Sequence, residues 1–270
     1  MWKSIGETLN ITREPVVRNC PEHGTYTGED IFQNGRLVFA APCPECEKQK
    51  AALRAELAEA ERQEAERKQL DNKLIRAGIP EEYRGKGLAD YIPQDQTQAS
   101  AKELTRRFIN GWEKAKAGGY GLLFFGTCGT GKTHLACTIL QSLIEDTTCK
   151  YMTVTELFWA VRGAYAKNAE FTEDDVIDRI SKIGLLVLDE IGVQKGSDAE
   201  RRILFSVMDR RLTNKKPTIL LTNLPPEALL ALLGDRLMDR VSSKCVARQF
   251  LGRSMRKPAT DAVFMRWEEI

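Results

Sequence analysis

Apolar residues are sparse in the first third of the chain and gather into short dense runs beyond residue 98. Four runs have the length of buried strands: GYGLLFFG (119–126), KYMTVTE (150–156), IGLLVLDE (183–190) and PTILLTN (217–223). Helical patterns lie between and before them, beginning with KELTRRFINGWEKAKAG (102–118) and an amphipathic stretch to about residue 146. Strands that alternate with helices predict parallel βαβ units, hence an α/β fold with a parallel sheet flanked by helices.

Residues 47–77 carry a different rhythm. They contain neither Gly nor Pro, and Ala, Glu, Lys, Arg, Gln and Leu dominate, all strong helix formers. Glu64 stands four residues before Lys68, a favourable helical pair. The apolar face is thin: Leu53, Leu57, Ala60, then Leu70 and Leu74. A solvated linker helix and a helix that docks on a partner both fit such a face. Gly78-Ile79-Pro80 ends it, because Gly suits the cap and Pro cannot continue the helix. The pattern divides the chain into a turn-rich module (1–46), a charged linker helix (47–77) and a main α/β domain (78–270).

Composition narrows the classes. With 42% hydrophobic and 29% charged residues in 270, a packed core is expected and disorder throughout is not. The net charge of +2 means that a nucleic-acid surface must come from local clustering. No stretch of about 18 apolar residues argues for a membrane span, and the first residues lack the apolar segment of a signal peptide. Cys128, Cys137, Cys149 and Cys245 are scattered through the main domain, which suits a reducing cytoplasm.

Candidate chemistry sits at the strand ends. Gly126-Thr127-Cys128-Gly129-Thr130-Gly131-Lys132-Thr133, followed by His134, fits G-x-x-x-x-G-K-[ST] between an apolar strand and a helical pattern. Its backbone N–H groups would close around phosphates, Lys132 would reach the β- and γ-phosphates of ATP, and the Thr133 hydroxyl would ligate Mg2+. The run 183–190 ends in Asp189 and Glu190, suited to hold the Mg2+ shell and to polarise attacking water. Glu190 favours hydrolysis over binding alone. Asn223 ends the last run, where it would orient water beside the γ-phosphate or cap the next helix. From 236 to 257 seven basic residues (Arg236, Arg240, Lys244, Arg248, Arg253, Arg256, Lys257) accompany one acid, Asp239. Such a run forms a solvated face or supplies arginines to a transferring phosphoryl group.

GTCGTGKT, LLVLDEIG, DRRLTNKKPTILLTN, GDRLMDR and GRSMR, in that order, resemble the AAA+ ATPases, and within them the bacterial and phage helicase loaders of the DnaC/DnaI type. The resemblance spans roughly residues 75–258, and IstB-like transposition helper ATPases share most of it. It implies an AAA+ P-loop core, ATP hydrolysis at subunit interfaces, weak activity as a monomer and self-association through the ATPase domain. The partners implied are a hexameric replicative helicase and single-stranded DNA. By position, Asn223 would be the sensor-1 residue, Arg240 an arginine finger acting in trans with Arg236 a second candidate, and Arg256 the sensor-2 arginine. The DNA contacts are expected in 151–182, where Arg162, Tyr165 and Lys167 suit a single strand and Phe158 and Trp159 read as core. Three functions remain open: helicase loader, transposition helper, and an ATP-binding switch adaptor with little turnover.

Near the N-terminus, CPEH and CPEC place Cys20, His23, Cys43 and Cys46 in two pairs of x₂ spacing, nineteen residues apart. Two tight turns of this kind suit one structural, tetrahedral Zn2+. The intervening residues read as a ribbon-like hairpin with its turn at Asn34-Gly35. A region this small gains much of its stability from such a metal, and the zinc module is expected to dock on the helicase.

Overall fold

The computed structural model describes residues 10–165, 170–192 and 198–255, and the chain divides into two compact units, Met1–Gln69 and Leu70–Ile270. In the first unit β1 (Ile11–Cys20), β2 (Gly24–Gln33) and β3 (Arg36–Phe39) form an antiparallel sheet in that order. Cys20 pairs with Gly24, so residues 21–23 make the first loop. The second turn is at Asn34-Gly35, as its sequence requires: φ is 50° and 74°, the left-handed pair that matches the twist of a hairpin. The core here is small, with Cys20, Asp30, Ala41 and Cys43 buried. Asp30 accepts from the Ala41 N–H at 2.9 Å and from Arg18 Nη2 at 2.5 Å, and the Arg18 hydrogen bond holds its carboxyl below the usual range. That carboxylate ties the chain just before Cys43 to the sheet.

Helix α1 (Pro44–Arg76) starts inside the second tetrapeptide. Pro44 is tolerated there because the first helical N–H has no intrahelical acceptor. The tight turn expected around Cys43–Cys46 is therefore the first turn of a helix. The stripe of Leu53 and Leu57 stays open, each 57% exposed. Local propensity and pairs such as Arg62–Glu59 and Lys68–Glu64 support the exposed turns. Leu74 is the helix's buried residue.

The second unit contains α2 (Gln96–Asn110), α3 (Trp112–Gly118), β4 (Gly121–Gly126), α4 (Lys132–Leu143), β5 (Cys149–Thr153), α5 (Val154–Arg162) and α6 (Glu173–Lys182), then β6 (Leu185–Ile191), α7 (Asp198–Thr213), β7 (Thr218–Thr222), α8 (Pro226–Leu233), α9 (Asp235–Lys244) and β8 (Cys245–Phe250). Five parallel strands lie in the order β5-β6-β7-β4-β8. Strand side chains alternate between two apolar layers. Leu122, Phe124, Leu185, Val187 and Ile219 meet Leu135 and Ile139 of α4, while Leu123, Leu186, Leu188 and Leu220 meet α5 and α7.

Three sequence expectations change. KYMTVTE is a strand only to Thr153, because Thr153 and Glu156 form a reciprocal capping box that starts α5. CVARQF within the basic run is an edge strand, β8, paired with β4. Of the two aromatics read as core, Phe158 is 3% exposed but Trp159 is 67% exposed. Adjacent positions on a helix point about 100° apart, so one side chain packs while the next faces solvent.

Candidate nucleotide site and metal centre

The loop 126–133 joins β4 to α4, and its backbone is possible only with glycine at key points. Gly126 has φ 121°, and a Cβ there would stand 2.2 Å from the Phe250 carbonyl oxygen. Gly131, at φ 89°, would put a Cβ 2.3 Å from the Tyr91 ring. Lys132 is buried, and its ammonium donates to the carbonyls of Gly126 and Thr127 at 2.8 and 2.7 Å. Desolvation lowers its pKa from the ordinary lysine value. A buried ammonium met by neutral carbonyls at a helix N-terminus is chemistry that fits a phosphate.

From β6, Asp189 reaches the loop: the Thr133 hydroxyl donates to its Oδ2 at 2.8 Å across 56 residues of sequence. Its Oδ1 accepts the Glu190 N–H at 2.6 Å. Glu190 itself lies at φ 59°, in the left-handed region that a non-glycine residue enters at a cost, where the β6–β7 register shifts. The result exposes the Glu190 carboxylate while Asp189 stays buried. Lys132, Thr133, Asp189, Glu190 and Asn223 line one cleft of about 350 Å³ with Cys128 and Met255. Oxygen ligands beside a lysine suit a hard cation such as Mg2+ and a nucleotide phosphate.

The remaining anticipated residues lie as follows. His134 lines the cleft, but its ring turns toward the Gly87 carbonyl, 3.1 Å from Nε2, between Tyr83 and Tyr91. Arg240, on α9, pairs with Asp209 and donates to the Thr213 hydroxyl at 3.0 Å. Arg236 stands 5.9 Å from the Phe205 ring centroid. Neither arginine lines the cleft of its own chain. Arg162 pairs with Glu200, and the Tyr165 hydroxyl bonds Glu173. Lys167 and Arg256 lie outside the described residues. Met255, beside Arg256, donates its N–H to the Gly129 carbonyl at 2.8 Å.

Sequence reasoning missed two residues. Tyr151 on β5 donates its hydroxyl to Asp189 Oδ2 at 2.8 Å. Arg211 on α7 is fully buried and, among the described residues, pairs with no carboxylate; it donates to the carbonyls of Ile180, Ser181, Ile183 and Pro217 and to the Thr218 hydroxyl. Desolvation pulls its pKa down to about 9. Nothing local marks Tyr151, whereas for Arg211 the usable signal was an Arg at a buried position of a helical pattern.

In the first unit, the ligand atoms of Cys20, His23, Cys43 and Cys46 all lie within 4.8 Å of one another. Cys20 Sγ is 3.5 Å from Cys46 Sγ, and His23 Nδ1 is 3.3 to 3.8 Å from the three sulfurs. Tetrahedral ligands at zinc distances stand about 3.7 Å apart, so the four fit one ion. The Glu22 N–H and His23 favour the Cys20 thiolate, lowering its pKa to about 6, whereas its hydrogen bond with Cys20 raises Cys46 to about 12. A dication at the centre would relieve that crowding of thiolates. His23 Nε2 faces Gln49 at 3.1 Å, the outer partner that a metal-bound imidazole needs. Among the described residues no helix is long and apolar enough to cross a membrane.

A family model described as IstB-like ATP binding protein matches residues 48–262. The replicative helicase loader DnaC of Escherichia coli (strain K12) is 31% identical over 211 residues, 78% of this chain and 81% of the loader. A crystal structure of the DnaC helicase loader aligns with TM-score 0.57 at 23% identity, over 63% of this chain and 99% of that one. A crystal structure of DnaI gives 0.54 at 23% identity, over 63% and 94%. Those structures carry the fold: the P-loop core anticipated from the motif order is the architecture of the parallel-sheet unit.

Proposed function

The chain belongs to the IstB-like ATP binding protein family, alongside the DnaC loaders of the AAA+ class, and from that premise we propose that it is an ATP-dependent replication protein that loads a replicative helicase onto single-stranded DNA. The observation that carries the ATPase reading is the Thr133–Asp189 hydrogen bond of 2.8 Å in the same cleft as Lys132, Glu190 and Asn223. Lys132 and the loop N–H groups bind the phosphates, and Thr133 and Asp189 hold Mg2+, which when bound neutralises charge on the β- and γ-phosphates. Glu190 polarises the attacking water, Asn223 orients it and Arg256 completes the site in cis. Arg240, which pairs with Asp209 and does not line its own cleft, serves a neighbouring subunit, so the isolated monomer turns over weakly and assembly raises the rate.

Zn2+ held by Cys20, His23, Cys43 and Cys46 is structural, since four protein ligands leave no open position. The zinc module is the helicase-docking part, and the exposed Trp159 and Tyr165, with Arg162 and Lys167, belong to the single-strand surface. With these roles the proposed location is the cytoplasm. The second reading, carried by the resemblance to IstB-like ATPases, is a transposition helper acting on duplex DNA. Co-purification with a hexameric replicative helicase separates the two. Capture by the full chain, lost on deletion of residues 1–46, is the expected result. A chain that ignores the helicase and binds duplex DNA supports the helper. Phosphate release with and without single-stranded DNA distinguishes turnover from a binding-only switch.

A further inference from the structure

We infer that Tyr151 is the positioning residue of the Mg2+ carboxylate, acting through Asp189 without touching the nucleotide. This rests on the ATPase reading given above. Asp189 Oδ2 accepts two hydroxyls, Thr133 Oγ1 and Tyr151 Oη, each at 2.8 Å, while Oδ1 accepts the Glu190 N–H. Thr133 belongs to the metal site itself and Glu190 to the water site. Tyr151 is the donor with no other duty there: it enters from the neighbouring strand, is buried, and does not line the cleft.

The sheet brings the two together. Tyr151 pairs in register with Val187, and Asp189 lies two residues further along β6 on the same face, toward α4. Around them are apolar side chains and the buried Cys137, whose thiol is pushed up by burial and by Asp189. A buried tyrosine hydroxyl has to find a partner, and here that partner is Asp189 Oδ2 at 2.8 Å. The strand is fixed on its other edge as well. The Tyr151 N–H donates to the Ala77 carbonyl at 2.7 Å, and Lys150 Nζ to the Arg76 carbonyl at 3.0 Å. Gly78, at φ 74°, allows that approach, since a Cβ there would stand 2.6 Å from the Tyr151 carbonyl oxygen. Tyr151 thus has little freedom, and its hydroxyl fixes the rotamer in which Asp189 faces Thr133. Donors of this kind orient a metal-binding carboxylate, and their loss weakens metal affinity or activity.

Tyr151→Phe removes one oxygen and keeps the ring. The experiment measures binding of a fluorescent ATP analogue by the full chain in EDTA and along a Mg2+ titration, with melting temperature and ATP turnover on the same samples. The expected result is a half-saturating Mg2+ concentration raised about tenfold. Affinity in EDTA and melting temperature stay close to wild type. Half-saturating Mg2+ equal to wild type overturns the inference, as does a loss of EDTA binding in step with lost stability, which marks a packing residue only. If the wild-type chain itself binds the analogue with no response to Mg2+, the ATPase reading falls, a failure visible before any variant is compared.

Discussion

Asp189 and Glu190 are adjacent in sequence and opposite in environment. One is buried under three hydrogen bonds and the other is exposed, and the left-handed φ of 59° at Glu190 separates them. A backbone held in that region persists when its surroundings demand it, and here the Glu190 N–H bond to Asp189 does so. Because the Glu190 side chain contributes little to the fold, Glu190→Gln should retain ATP binding and melting temperature. Hydrolysis should fall by about a hundredfold, the lower range for loss of a general base. Binding by fluorescence and phosphate release on one preparation check both halves. Both carboxylates were legible in the sequence because an apolar strand ending in acids is a local signal. Their division of labour was not, since it depends on a φ angle and on partners from β5 and α4.

At the level of elements, the three-stranded sheet has few buried residues, and the segment carrying Cys43 is anchored by Asp30 through Ala41. So small a core would leave the proposed zinc to supply much of the stability. Cys43→Ser should lower bound zinc to less than half an equivalent. It should unfold the β1–β3 module while the parallel-sheet unit keeps its melting transition, as read by metal analysis and hydrogen exchange. A full equivalent of zinc in the variant, or an intact module after chelation, contradicts the assignment. The Cys-x₂-His and Cys-x₂-Cys spacings were readable, as was the Asn34-Gly35 turn. The helical start at Pro44 was missed because a Pro between two cysteines reads equally as a turn and as a first helical residue. Strand β8 was missed because CVARQF shows neither clean alternation nor an apolar run.

For the whole molecule, the proposed role of Arg240 makes activity depend on assembly. Arg240 is held by Asp209 and Thr213, in a partly exposed pair whose loss costs at most about 1 kcal/mol. Arg240→Ala should therefore fold and bind ATP yet lose the rate gained on assembly. Mixing it with Lys132→Ala, which keeps Arg240 and loses the proposed phosphate lysine, should restore part of the activity through mixed interfaces. No restoration at any mixing ratio places the arginine's action within its own chain.

By itself the sequence determined the α/β class, the glycine-rich loop 126–133, the acidic strand end and the paired cysteines, because each is encoded within a few residues by spacing and by side-chain type. Tertiary structure alone decided which groups meet across long separations. Thr133 and Tyr151 converge on Asp189, Arg211 is buried among carbonyls, and Trp159 is turned outward while Phe158 packs. The reason is physical: a hydrogen bond between strands depends on sheet order and register, and those follow from packing the whole domain rather than from any short stretch of it.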